Sequence, residues 1–178
     1  LPELVERIAV GVVVPVRKSN GKCRPIAIPD ALRRLTASVV CEEEGEALRR
    51  HLEPAGCVAV GIAGTTEALP KVVRLRAGTH PAWPWGKLDA INGYGNQHRE
   101  QAGAALSAAF PSLSRFWGSW YARRSCYVLR RPDGSEARFW SASGWDQGDP
   151  FAPAGYSIGL APALRRARQR IRELALER

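Results

Sequence analysis

The chain has 178 residues, enough for one domain with a buried core, and its composition is typical of globular proteins. Lysine and arginine number 26 against 17 aspartates and glutamates, which leaves a formal net charge of +9. Such an excess of cations favours a polyanionic partner, and nucleic acid is the leading candidate. A membrane surface is a weaker candidate, because the cations spread along the whole chain instead of gathering on one amphipathic helix.

Cysteine and methionine usage narrows the setting. The four cysteines, Cys23, Cys41, Cys57 and Cys126, form no C-x-x-C pair, and the histidines do not cluster with them, so no zinc site is expected. No segment resembles a signal peptide or a membrane span, which predicts reduced thiols and an intracellular location, the nucleus included. The chain begins with Leu1 and contains no methionine, so we expect it to be a piece of a longer reading frame.

Two apolar runs near the start predict a β-hairpin. β-Branched residues dominate residues 8–16, "IAVGVVVPV", and the second run, "CRPIAIP", covers residues 23–29. The segment between them contains "KSNGK", which combines turn-forming residues with two lysines. We therefore expect an antiparallel hairpin over residues 12–29 with an exposed, basic tip near Ser19 to Lys22.

Two helices are expected to follow the hairpin. In residues 30–52, Asp30 can cap the start of a helix, and a break is expected near Gly45. The apolar face of this helix, at helical spacing, consists of Leu32, Leu35, Val39 and Val40. Residues 65–77 predict a second helix, which Pro70 makes less regular.

The next segments predict a strand, two helices and a second hairpin. "PAWPWGKLDA" indicates a short strand that ends at Asp89. Helices are expected over residues 97–109 and within residues 112–124. Residues 126–141 predict a hairpin, because in their Pro-Asp-Gly turn the proline presets φ and the glycine accepts positive φ.

A last helix is expected after residue 148. Asp149 suits the N-cap, and Pro150 suits the first helical position, where its missing N–H would have had no partner. Pro153 and Pro162 should perturb this helix, and the local sequence offers no reason for Pro153.

Three longer segments stand in a fixed order along the chain: "VPVRKSNGKCRPIAIPDALRR", "KLDAINGYGNQHRE" and "SGWDQGDPFAPAGYSIGLAPAL". In this order they resemble the fingers hairpin, the D-x-x-N-A-F-N-x-x-x-R motif and the G-x-x-Q-G-D-P-L-x-x-x-L-F-x-L motif of reverse transcriptases, in particular those of non-LTR retrotransposons. The resemblance covers about Val12 to Leu164. It implies an α+β fold, with a fingers-like region of hairpin and helices over residues 1–84 and a partial antiparallel palm sheet of a right-hand polymerase over residues 85–178.

The resemblance also implies an activity, RNA-directed DNA polymerisation from dNTPs on an RNA template and a DNA primer. Two Mg²⁺ ions assist this in-line displacement at phosphorus. Asp89 would be the catalytic carboxylate and a metal ligand, and Tyr94 would pack beneath the incoming sugar and leave no room for a 2′-hydroxyl. Asn92 and Arg99 would hold the loop and helix that follow. Without the motif, Asp89 is more simply a turn former or a helix cap.

Phosphate and template contacts are implied for two further segments. Arg24 would contact the triphosphate, with Lys18 and Lys22 nearby, because a guanidinium can bond phosphate oxygens in pairs. Gln147 and Gly148 would form the turn that lies against the nucleotide and template. Taken alone, cations at a hairpin tip are more often a solvated surface.

The sequence departs from the family in two ways. Gly93 and Gly95 replace an alanine and an asparagine, and Ala154 and Gly155 stand where a larger apolar pair is common. The family's next motif, aromatic-x-Asp-Asp, supplies further carboxylates, yet the sequence contains no Asp-Asp pair, and a two-metal site built on Asp89 alone would lack ligands. Two hypotheses remain: a reverse transcriptase fragment that is inactive as this isolated chain, or a non-catalytic nucleic-acid-binding remnant of a degenerate retroelement.

Overall fold

Two β-hairpins meet in one four-stranded sheet. A computed structural model describes residues 9–58, 60 and 64–176. The strands are β1 (Val10–Arg17), β2 (Cys23–Ile28), β3 (Ser125–Arg130) and β4 (Glu136–Ser141). Each hairpin is antiparallel, whereas the central strands β1 and β3 run parallel, so the order is β2-β1-β3-β4 and the sheet is mixed. Strands from both ends of the sequence therefore share one sheet.

Seven helices lie in the described chain outside the sheet. They are α1 (Ala31–Glu43), α2 (Gly45–Leu52), α3 (Thr65–Thr79), α4 (Gly93–Asn96), α5 (Arg99–Ala109), α6 (Ser114–Trp120) and α7 (Ala152–Leu176). Short 3₁₀ turns, Glu53–Ala55 and Pro111–Leu113, follow α2 and α5. The long helix α7 packs mainly on α5, and the buried core lies between α2, α5, α6 and the start of α7. The α+β class expected from the sequence is confirmed.

Both predicted hairpins are confirmed. The first extends from Val10 to Ile28, its tip is exposed, and Gly21 takes a φ of 78° in the turn; residue 8 of the apolar run lies outside the described residues. In the second, Gly134 has a φ of 83°, as the Pro-Asp-Gly turn predicts, and its N–H bonds the carbonyl of Arg131 at 3.0 Å.

Local signals also placed most helix ends. The Asp30 carboxylate accepts the N–H of Leu32 at 2.8 Å, and the helix breaks at Glu44, beside the predicted Gly45. The last helix starts two residues later than predicted: α7 begins at Ala152, so Asp149 and Pro150 precede it and Pro153 lies in its first turn. A proline there removes an N–H that would have had no helical partner, which is the missing reason for this residue.

The apolar spacing that predicts α1 does not mark its buried face, apart from Val40, which packs against the core. Leu32, Leu35 and Val39 are 51%, 62% and 44% exposed, whereas Arg33 and Ala37 are buried. Apolar spacing failed because the helix is oriented by Arg33, whose guanidinium reaches two buried carboxylates. The helix therefore turns a charged residue inward and leaves much of its apolar face in solvent.

The predicted strand ending at Asp89 is also absent. Residues 81–92 are irregular and exposed, and the side chain of Leu88 is fully exposed. A strand needs a neighbour that accepts its hydrogen bonds, and residues 81–92 pair with neither edge of the sheet, β2 or β4. Two prolines in this segment, Pro81 and Pro84, further reduce its capacity to pair.

A buried network of charges joins α1 to the turn before α7. Arg33 lies 2.8 Å from an oxygen of Asp146 and 2.7 Å from one of Asp149, and its guanidinium sits 4.4 Å from the ring centre of Tyr121. Burial acts to lower the pKa of Arg33, but Tyr121 and the two aspartates outweigh it and raise the pKa above its ordinary value. Arg33 therefore stays charged inside the protein.

A second buried arginine, Arg99, extends this network. Arg99 donates to the carbonyls of Gly144 at 2.7 Å and Arg123 at 3.0 Å. Both Arg99 and Arg33 also reach the hydroxyl oxygen of Ser125 at 3.2 Å. Through Ser125, Arg99 is joined to Arg33 and its two buried aspartates, so the network bridges α1, β3, α5 and the residues before α7.

We predict that Arg33→Met strongly destabilises the fold. The substitution removes the cation that pairs with two buried carboxylates, and breaking a buried ion pair from one side destabilises by about 3–5 kcal/mol. Urea unfolding monitored by tryptophan fluorescence measures the free energy of unfolding. The control is Arg34→Met, at the neighbouring exposed position, which we expect to change stability by less than about 0.5 kcal/mol. Equal losses in the two variants would contradict the network.

Candidate functional site

A cleft of about 960 Å³ opens beside the sheet. Its lining comes from the β1–β2 hairpin, from residues 89–95, and from residues 141–147. Side chains of β3, β4 and the first turns of α7 complete it. Segments that are far apart in sequence therefore share one concave surface, which is the usual form of a ligand site.

Five of the seven residues predicted for the site line this cleft: Lys18, Arg24, Asp89, Tyr94 and Gln147. Lys18 and Arg24 lie at the exposed end of the first hairpin, on one wall. The other three come from the loop before α5 and the turn before α7. The cleft thus holds two cations, a carboxylate, a phenol and an amide.

The remaining two predicted residues lie outside the lining. Lys22 is exposed in the hairpin turn, where its N–H bonds the side chain of Asn20 at 3.1 Å. Gly148 approaches the sheet instead, and its N–H donates to the carbonyl of Ala27 at 3.0 Å. A Cβ at Gly148 would lie 2.8 Å from that carbonyl oxygen, so glycine is required by contact with β2.

Asp89 sits in the cleft on an irregular, exposed segment. Among the described residues its carboxylate makes no hydrogen bond or ion pair. The alternative in which Asp89 caps the following helix is also wrong, because α5 begins after His98 without a side-chain cap. Asp89 is thus an unpaired carboxylate that faces a cleft with two cations on another wall.

Tyr94 pairs with Tyr156 at the inner end of the cleft. The two ring centres are 4.9 Å apart, and burial, followed by the neighbouring Tyr156, raises the pKa of Tyr94. A Cβ at Gly93 would lie 2.8 Å from the hydroxyl oxygen of Tyr156, and one at Gly95 would lie 2.4 Å from the side chain of Asn92. A side chain at either glycine would therefore displace a neighbour, Tyr156 at Gly93 and the exposed Asn92 at Gly95.

The Trp145 ring packs directly against another glycine, Gly155. A Cβ at Gly155 would lie 2.0 Å from the Trp145 ring, so the missing side chain at residue 155 is replaced by the indole. The indole N–H donates to the side-chain oxygen of Gln97, whose amide nitrogen donates to the carbonyl of Tyr156 at 2.9 Å. Gln97 and Trp145 thereby fix α7 against the loop that carries Tyr94.

The charge network forms part of the cleft floor. Asp146 and Tyr127 are both buried and both line the cleft. Burial, followed by the charge of Asp146, raises the pKa of Tyr127 to about 12. The sequence interpretation missed Asp146 as a site residue and took Asp149 only as a helix cap. The sequence shows Asp146 and Asp149 on either side of Gln-Gly, and Arg33 on a helix. Their pairing becomes visible only in the three-dimensional structure.

No protein-family model matches the sequence, and no curated protein matches it. Among solved structures, the apo telomerase of Candida tropicalis, truncated from the C-terminal domain, is similar to this chain with a TM-score of 0.59 and 11% sequence identity. The match covers 89% of this chain and 39% of the telomerase chain. Telomerase is a reverse-transcriptase-related enzyme with the right-hand polymerase fold, and this chain shares that fold.

The described residues do not form a two-ion metal site. Among the described residues, no three side chains of histidine, cysteine, aspartate or glutamate cluster in a way that could hold a metal ion. Asp146 lines the cleft but is paired with Arg33. Asp89 alone could join a Mg²⁺ that is bound chiefly by phosphate oxygens and water, since Mg²⁺ often takes only one or two protein carboxylates. The four cysteines are free, and no helix of the described chain could cross a membrane.

We predict that Gly155→Ala destabilises the protein by about 1–3 kcal/mol, because the added methyl group would overlap the Trp145 ring. Thermal or urea unfolding measures the change. Gly118→Ala is the matched control, since this helical glycine has open space around it and alanine there should stabilise α6 by about 0.5–1 kcal/mol. A neutral Gly155→Ala would mean that Trp145 does not occupy this space.

Proposed function

We propose that the cleft binds a nucleoside triphosphate and the end of a template–primer, as part of a reverse transcriptase domain of the non-LTR retrotransposon type. The observation that carries the proposal is the meeting of Lys18, Arg24, Tyr94 and Gln147 in one cleft. These residues come from three separate sequence motifs. An RNA template, a DNA primer and dNTPs are the expected partners.

The chemistry of the lining suits a nucleotide. Lys18 and Arg24 offer cations for phosphate oxygens on one wall, and neither is paired with an acid among the described residues. Tyr94 offers a half-buried ring for a sugar, and Gln147 offers an amide for polar groups. The volume of about 960 Å³ is at the upper end of the roughly 300–1,000 Å³ typical of small-molecule sites.

The compensated departures favour a maintained site over a degenerate one. Gly93 accommodates the Tyr156 hydroxyl, and Gly155 accommodates the Trp145 ring. Independent loss of motif residues would leave cavities or clashes in the core. Paired changes that keep the cleft lining packed therefore support a functional cleft.

A second candidate is a non-catalytic nucleic-acid-binding domain. The shortage of metal ligands favours this candidate. The described residues supply one unpaired carboxylate in the cleft, whereas two-ion catalysis uses several. Both candidates predict nucleic-acid binding that weakens steeply with salt. Only the first candidate requires that the protein bind a nucleoside triphosphate. Only the first also predicts that Mg²⁺ binds at Asp89.

We predict that Arg24→Gln weakens triphosphate binding at least about tenfold, since it removes charge-assisted bonds to phosphate. The measurement is fluorescence anisotropy of a labelled dATP analogue titrated with the protein. Arg131→Gln is the control, because Arg131 is an equally exposed cation in the β3–β4 turn, outside the cleft. Nucleic-acid binding without any triphosphate binding would support the second candidate instead.

Asp89→Asn separates the metal role from a surface role. Without divalent ions, the variant should bind the dATP analogue about 2–5-fold more tightly, because a carboxylate that repels the triphosphate is removed. With Mg²⁺, the unmodified protein should gain more affinity than the variant. Asp133→Asn, in the β3–β4 turn, is the charge-matched control. An identical Mg²⁺ response in the unmodified protein and Asp89→Asn would contradict metal binding at Asp89.

A further inference from the structure

A second cationic groove lies along the C-terminal half of α7. It has a volume of about 320 Å³, and its lining consists of Pro54, Arg165, Arg168, Gln169 and Arg172. The four helical residues follow the spacing i, i+3, i+4, i+7, which puts them on one face of α7. Arg168 lies twelve residues beyond Tyr156, or about 18 Å along the helix axis, so this groove is separate from the cleft.

Two of the three arginines are held by backbone carbonyls. Arg165 donates to the carbonyl of His51 at 2.7 Å, and Arg168 donates to the carbonyl of Pro54 at 3.0 Å. The chain turns beneath Arg168 at Gly56, where a Cβ would lie 3.1 Å from its guanidinium nitrogen. A carbonyl positions an arginine without cancelling its charge, which a carboxylate would do. The simplest role of these bonds is to cap the end of α2, and that role leaves the positive charges in place.

No carboxylate of the described residues pairs with the groove arginines. The nearby acids have other partners: Glu53 pairs with Arg49 at 3.1 Å, and Glu173 accepts from Gln169 of the lining at 3.0 Å and from Arg170 at 3.4 Å. Arg172 is exposed and makes no hydrogen bond or ion pair within the described chain. The groove therefore carries three positive charges that its own surroundings do not neutralise.

We propose that this groove binds the phosphodiester backbone of nucleic acid. Arg165 and Arg172 are separated by about 10 Å along the helix, which exceeds the 3.4 Å rise per nucleotide of one strand and lets the groove contact more than one phosphate. A protein partner would bury apolar side chains at the centre of its interface, and Pro54 is the only apolar residue of this lining. The net charge of +9 acts in the same direction.

The test compares two faces of the same helix. Arg168→Gln/Arg172→Gln removes two charges from the groove, and Arg166→Gln/Arg170→Gln removes two from the opposite face of α7. Anisotropy of a labelled 30-base-pair DNA duplex is measured across a KCl series. We expect the groove variant to lower the magnitude of the slope of log K against log salt by about 1–2, at about 0.9 per phosphate contact, and to weaken binding about tenfold at 150 mM salt. The control should change the slope by less than half as much.

Single variants at Arg172 guard against effects on folding. This side chain makes no bond that the fold could lose, so Arg172→Gln should lower the slope by about 1, and Arg172→Lys should retain it. Equal slopes in the two double variants, or no change in either, would overturn the proposal. So would a groove variant that keeps DNA binding but loses binding to poly-glutamate, which would indicate an acidic protein partner.

The groove and the cleft are tested independently. Triphosphate binding by the groove variant should equal that of the unmodified protein, because the groove lies about 18 Å along α7 from Tyr156. Failure of the groove proposal would leave this triphosphate result unchanged. Failure of the proposed function would abolish triphosphate binding in both proteins while leaving their difference in duplex binding.

Discussion

The buried ion pairs of Arg33 with Asp146 and Asp149 are the constraint on which the rest of the structure depends. Charges removed from water are tolerated only when their partners are in place, so the turn before α7 has little freedom while Arg33 is inside. The network reaches α1 through Arg33 and β3 through Ser125, which also contacts Arg99 at the start of α5. The position of Gln147, between the two aspartates, follows from this network and not from the cleft itself.

Two glycines near the cleft each pack against an aromatic side chain from the segment around Asp149. Tyr156 occupies the space beside Gly93, and Trp145 occupies the space beside Gly155. Both partners lie within ten residues of Asp149, on the turn or on the first turns of α7. The segment that the charge network holds thus fills the space beside both glycines, and the packed pairs form one coherent surface.

The parts of the fold that the sequence predicted are those set by near neighbours. The Asp30 cap, the Gly134 turn and the break beside Gly45 each depend on a few adjacent residues. The packing face of α1 does not follow its apolar spacing, because Arg33 pairs with carboxylates more than a hundred residues away. The predicted strand before Asp89 is absent because it pairs with neither edge of the sheet. The order of the motifs predicts five residues that line the cleft. It does not predict the arginine–aspartate network, because these residues meet only in the folded chain.

The distribution of charge separates binding from chemistry in this molecule. Cations without acidic partners occur in the cleft and again along the far half of α7, whereas the described residues leave a single unpaired carboxylate, Asp89, in the cleft. Polyanion binding needs many dispersed cations and tolerates the loss of any one. Two-ion phosphoryl transfer needs a few carboxylates at fixed positions and tolerates no such loss. The described residues therefore suit the first requirement, and they could take part in the second only if further carboxylates joined Asp89 at the cleft.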